Sequence, residues 1–212
     1  MYMSNRKKRK LDNKYYLYCF SPGDKEKEYF KKYIQETLND KINCYNINPN
    51  ISQISPNIIN EKNKDELISK IIQYIERRCS SINEQGRGKI IVIITDCDKA
   101  KLKYMNDFRF RFKNKFVGKS IFILNYQSFE DWAFFYYGDN KKTKDEIGRD
   151  ISEHWDSIFK GKHNIAIAKY FKTINCPNKE TESIENYSNI NFNKYSDFPN
   201  VFRDLEKLCN SY

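Results

Sequence analysis

Read for the spacing of apolar and polar positions, the chain divides into short apolar runs separated by amphipathic stretches. Ile90-Ile91-Val92-Ile93-Ile94-Thr95 is the strongest run: six β-branched residues with no charged position. That is the pattern of a strand buried on both faces in a parallel sheet. Tyr15 to Phe20 reads as a second strand, broken by Ser21-Pro22-Gly23. Ile42 to Ile47 alternates as a third, and Ser120 to Leu124 supplies a fourth. Between these runs the period becomes helical. Tyr29, Phe30, Tyr33, Ile34 and Leu38 share one face of a helix expected from Asp24 to Leu38. Leu67, Ile68, Ile71, Ile72 and Ile75 do the same for Lys64 to Ile82. Residues 99–119 are helical or irregular. Further helices are expected over 128–137, 143–159, 163–174 and 198–209, with polar loops at 49–63 and 175–197. The alternation of strands and helices predicts an α/β fold: a mostly parallel sheet with helices on both faces and a helical C-terminal region.

Length and composition narrow this picture. The 212 residues suit one domain with small additions: a basic tail at 1–14, an α/β core at 15–140 and a helical extension at 141–212 packed on that core. Aromatic residues make up 16% of the chain, enough to fill a core despite its polar average. No apolar run reaches membrane-spanning length and no signal-peptide pattern is visible, so a cytoplasmic location without a membrane partner is the expectation. The cysteines stand singly with no C-x-x-C pair, which argues against a zinc ribbon and for free thiols.

Charge adds a partner class. Residues 1–14 carry a net +5, residues 99–119 a net +7, and the remainder sums to −2. Two basic concentrations on a near-neutral body point to a polyanion, DNA or RNA, with a partner protein or ribonucleoprotein as a further candidate. The contact residues expected in the second segment are Lys101, Lys103, Arg109, Arg111, Lys113 and Lys115. The N-terminal run reads equally as a solubilising tail, and the second segment as a solvated helix face. Within the latter, Phe108-Arg109-Phe110-Arg111-Phe112 interleaves aromatics with cations, as single-strand binding platforms do. Aromatics so placed are more often plain core.

The candidate chemistry lies at the end of the apolar strand. Asp96 and Asp98, two residues apart, fall on the same side at its carboxyl end, where open α/β sheets place their ligands. Carboxylates beside such a core are costly to desolvate, which an ion would rationalise. Loop entry and helix capping account for them as well. The chain has neither G-x-x-x-x-G-K-[ST] nor G-x-G-x-x-G, and its two histidines, His154 and His163, form no H-E-x-x-H.

Three segments together resemble the RloB-like group of TOPRIM-related proteins, found in restriction and phage-defence neighbourhoods. They are Tyr18-Cys19-Phe20 through Phe30, with Glu26 on the family's T-E glutamate and Tyr29-Phe30 on its aromatic pair; the strand ending in Asp96-x-Asp98, matching D-x-D; and Asn125 to Trp132, similar to S-N-P-x-F-E-x-W. Order and spacing agree over about residues 15–140. The resemblance implies a TOPRIM-like, Rossmann-like fold and a divalent-metal site, Mg²⁺ or Mn²⁺ on Asp96 and Asp98, acting on phosphodiester bonds as a nuclease in phage defence or on mobile elements. One departure matters. The first-strand glutamate of such a site falls on Ser21, and serine cannot act as a base near neutral pH. Asp24 or Glu26 is then the substitute, or the protein is a catalytically degenerate relative that binds nucleic acid or a ribonucleoprotein. Glu26 reads alternatively as a favourable first-turn helix residue, and Ser128 with Asp131, beside Glu130, as a capping box.

Overall fold

The computed structural model describes residues 14–21, 23–46, 59–80, 88–97, 102–118, 120–126, 128–137, 142–174 and 196–210. Asp98, Lys101 and the basic run Arg6 to Lys10 lie outside them. Four strands, β1 (Tyr15–Phe20), β2 (Ile42–Asn46), β3 (Gly88–Cys97) and β4 (Ser120–Tyr126), form one sheet in the order β2-β1-β3-β4, with every pairing parallel. Helices α1 (Asp24–Thr37), α2 (Lys64–Ser80) and α3 (Leu102–Lys115) connect them in turn. The short α4 (Phe129–Ala133), a 3₁₀ turn (Phe134–Tyr136), α5 (Lys144–Glu153), α6 (Trp155–Ile158), α7 (His163–Ile174) and α8 (Phe198–Asn210) follow. The fold is α/β with a helical C-terminal region, as the apolar pattern predicts.

Burial explains why the strands are apolar on both sides. Ile90 to Thr95 are all buried, as are Leu17 to Phe20 and Phe122 to Asn125, so layers cover both faces. The path leaves β1 toward β2, then crosses back over β1 to reach β3. With right-handed crossovers this places α1 on one face and α2 and α3 on the other. Side chains agree with that division. Lys115 of α3 meets Glu76 of α2 at 2.7 Å, while the Tyr33 ring of α1 stacks on Phe202 of α8 at 3.6 Å.

The face that carries α1 is aromatic. Tyr29 has Phe129, Trp155, Phe159 and Phe198 around it, with ring centroids 5.2 to 5.8 Å away. Its hydroxyl accepts the Trp132 indole N–H at 3.0 Å and lies 2.6 Å from the Tyr136 hydroxyl, which in turn reaches His163 Nδ1 at 2.8 Å. An indole N–H can only donate. Every hydroxyl proton finds an acceptor if Tyr29 donates to Tyr136 and Tyr136 donates to a bare Nδ1. His163 is then neutral with its proton on Nε2, 3.3 Å from Glu36 Oε2, and burial pushes its pKa down in the same sense. Buried residues of α5, α7 and α8, among them Ile147, Ile151, Tyr170 and Phe202, thus belong to the same hydrophobic core as the sheet. No helix among the described residues is long and apolar enough to cross a membrane.

Candidate functional site

The reversal of strand order falls between β1 and β3, and the crevice outside their carboxyl ends is where an open parallel sheet presents a ligand site. The two ends are unequal. Phe20 closes β1 opposite Ile93, whereas β3 runs on through Thr95 and Asp96 to Cys97. Asp96 is therefore a strand residue standing over the end of β1 rather than a loop-entry cap. It pairs in register with Asn125 of β4, and the Asn125 amide donates from Nδ2 to Asp96 Oδ1 at 3.0 Å. Asn125 is fully buried and its Oδ1 accepts the Ser196 hydroxyl at 2.7 Å. The backbone N–H of Phe129, at the start of α4, also favours the charged form of the Asp96 carboxylate.

The loop after β1 brings a second carboxylate. Ser21 is buried and its hydroxyl accepts the Gly23 N–H at 3.2 Å, which holds the turn into α1. The residue in the place of the expected glutamate thus has a structural task. Gly23 precedes the helix in extended conformation, and a Cβ there would lie 1.9 Å from Glu26 Oε2. The Glu26 carboxylate folds back into the space that only glycine leaves open. Its Oε2 is buried without a hydrogen-bond partner. The other candidate, Asp24, is exposed and engaged by the Lys27 ammonium at 2.8 Å. Of the two, Glu26 is the one the structure sets beside the site.

A third acidic group was not legible as part of the site. Glu130, on α4, is buried, with Lys25 at 3.9 Å and Lys144 at 3.8 Å from its oxygens. The capping box expected around it does not form. Ser128 occupies the N-cap, but its hydroxyl donates to Asp131 Oδ2 at 3.1 Å instead of accepting a helix N–H. The sequence signal for Glu130 was its place in the Phe129-Glu130-Asp131-Trp132 stretch just past a strand end. Trp132 itself is core, fully buried.

These carboxylates feel one another. Burial pushes the Asp96 pKa up to about 7, with the Glu26 charge next in importance and Glu130 contributing, against the lowering effect of the Asn125 hydrogen bond. Burial likewise raises Glu26, with Glu130 adding to it. A carboxylate forced to ionise among others is what a cation or a shared proton relieves. The oxygen-only donor set and the unpartnered Glu26 Oε2 suit a hard divalent ion. Among the described residues, no three histidine, cysteine or acidic side chains are close enough to hold an ion unaided.

The basic segment is a helix, so its aromatics and cations separate. Phe108 and Phe112 are fully buried and Phe110 is 66% exposed. The arginines are largely spent within the fold. Arg109 is a largely shielded partner of Asp197 and lies over the Phe122 ring at 5.4 Å. Arg111 bridges Asp65 and Asp107, and Lys115 pairs with Glu76. Lys103 and Lys113 are exposed, and Lys103 lies near Glu61. Of the side chains expected to meet a polyanion on α3, Lys103 and Lys113 are the exposed ones outside these ion pairs, whereas the arginines are engaged within the fold. Comparison of the chain with family models, with curated proteins and with solved structures gave no match.

Proposed function

We propose that this chain is a metal-dependent nuclease acting on phosphodiester bonds, in a phage-defence or mobile-element setting, with Asp96 at the centre of its metal site. The observation that supports this reading is the electrostatic coupling of largely buried carboxylates from α1, β3 and α4 near the switch point of a parallel sheet, each from a different segment of chain. Asp96 and Glu26 would hold the ion. Asp98, two positions on in the sequence, is the additional donor the reading requires. Bound Mg²⁺ or Mn²⁺ would supply Lewis-acid stabilisation of charge on a phosphate oxygen. The rest falls to the chain itself. Asn125 fixes the orientation of Asp96, and Ser196 fixes that of Asn125. Gly23 leaves Glu26 its position. Lys25 and Lys144 bring two ammonium groups to Glu130, which would attract a phosphodiester to this side of the site.

Incubation with single- and double-stranded DNA and RNA, in Mg²⁺, Mn²⁺ or EDTA, tests the reading. Metal-dependent cutting is expected, reduced about 100-fold in Asp96→Asn. Gly23→Ala keeps every carboxylate but displaces Glu26, and is expected to cost about 10-fold, since a misplaced ligand is penalised like a disturbed second shell. A second reading, a TOPRIM-derived protein that binds nucleic acid or a ribonucleoprotein without cleaving, is favoured by Ser21 in the place of the expected glutamate. Tight, salt-sensitive binding with no cleavage in any metal selects it.

A further inference from the structure

Among the described residues β4 is an edge strand, paired with β3 on one side only. In a parallel pair, alternate residues turn both their N–H and C=O to the same side. Leu124 turns outward: its N–H donates to the Asp197 carboxylate at 2.9 Å and its C=O accepts the Asp197 N–H at 3.0 Å. The same alternation sends the N–H and C=O of Phe122 and Ser120 outward. Ser196 bridges Asn125 in the antiparallel sense, so the covering segment runs toward the start of β4. It does not continue, because α8 begins at Phe198. Where it departs, a groove of about 440 Å³ opens, lined by Ser120, Ile121 and Phe122 along the edge, Arg109 and Lys113 from α3, and Arg203 from α8.

We propose that this groove receives an extended, acidic peptide segment of a partner protein, which pairs with Ser120 to Phe122 as a fifth strand. A second strand supplies alternating donors and acceptors at the spacing of an exposed edge, and flanking pockets read its side chains. The acidic character follows from what the chain already does one step along. Asp197 satisfies an outward N–H of β4 and the Arg109 guanidinium with one carboxylate. Among the described lining residues, Arg109, Lys113 and Arg203 outnumber Asp197 and Asp204, which leaves a surplus of positive charge beside the edge. Two-fold pairing of β4 with a second copy would bring the same cations toward each other. A nucleic acid satisfies the cations but offers no strand-like ladder to the edge. The inference stands apart from the nuclease reading, because none of these residues belongs to the carboxylate site.

The test is a titration of the full ¹⁵N-labelled chain with the end-blocked peptide Thr-Val-Asp-Val-Thr, read by amide shifts and solvent exchange. Shifts confined to the groove and slowed exchange of the Phe122 N–H are expected. Changing the peptide Asp to Lys, or the protein by Lys113→Glu, is expected to weaken binding about fivefold, the worth of one partly solvated charge pair. Lys113 is exposed, so the variant should fold, which far-UV circular dichroism verifies. Unchanged exchange at Phe122 in millimolar peptide overturns the proposal. Protection of Phe122 without peptide, growing with protein concentration, overturns it in favour of a second copy. The same amides moving with a single-stranded oligonucleotide, but not with peptide, overturns it in favour of nucleic acid.

Discussion

Replacing Asp197 with alanine is expected to destabilise the fold by about 3–5 kcal/mol, the cost of removing one partner from a buried ion pair. Both side chains are largely shielded, 13% exposed for Arg109 and 10% for Asp197. The aspartate does more than balance charge, since the same carboxylate accepts the Leu124 N–H. Alanine leaves a guanidinium without its counter-charge and an edge amide without its acceptor. Asp197→Asn retains an oxygen for Leu124 and loses only the charge, so it should fall between alanine and wild type. Removing the guanidinium as well, in Arg109→Met/Asp197→Ala, should recover part of the loss, because the unpaired charge goes with it. Urea unfolding of the four proteins measures each step. A loss under about 1 kcal/mol in Asp197→Ala would place this pair with ordinary surface ion pairs and contradict its burial.

The second large effect has the opposite sign. Asp96→Asn, assayed in EDTA, is expected to make the protein more stable at pH 8 by on the order of 4 kcal/mol and to change little below about pH 4. An unfolded aspartate titrates near 3.9 by ordinary behaviour, whereas in the fold Asp96 holds its proton up to about pH 7. Between those values the unfolded chain gives up a proton that the folded chain keeps, so this residue withdraws stability as pH rises from about 4 to 7 and the loss is complete above. Asparagine has nothing to ionise and still accepts the Asn125 amide. Thermal melts across that pH range follow the difference. An unchanged gap between pH 4 and pH 8 would mean that Asp96 does not titrate abnormally. Under the metal reading, added Mg²⁺ raises the melting temperature of the wild type and leaves that of Asp96→Asn where it was.

The scaffold of this protein is legible in sequence because its strands and helices obey two unambiguous periods. Ile90 to Thr95 cannot be half-exposed, and Tyr29, Phe30, Tyr33 and Ile34 have one common side only on a helix; both expectations match the burial. Asp96 was legible for the same reason, as the first carboxylate after the most apolar run. Residues whose role depends on a distant partner were not. Asp197 looks like one polar residue in an Asn-rich stretch until the fold brings it to Leu124 and Arg109, 73 and 88 positions away. Asn125 and Ser196 are joined across 71 positions. Glu130 was legible as a motif position but not as a neighbour of Asp96, since local spacing explained it as part of a cap. The cations of α3 mislead in the other direction. A run of positive charge reads as unopposed when Asp65, Glu76 and Asp197, which oppose it, belong to other elements or segments.

Trp132 and Trp155 are the only two tryptophans in the chain, and both surround the Tyr29 ring on the α1 side of the sheet. Tryptophan emission therefore comes from a single layer: the one where α5 to α8 meet α1. The protein carries its own optical reporter for that docking, blind to the opposite face built from α2 and α3. Far-UV circular dichroism sees both faces. Overlay of the two unfolding curves separates a chain that melts as one cooperative body from one whose helical layer lifts off a surviving sheet.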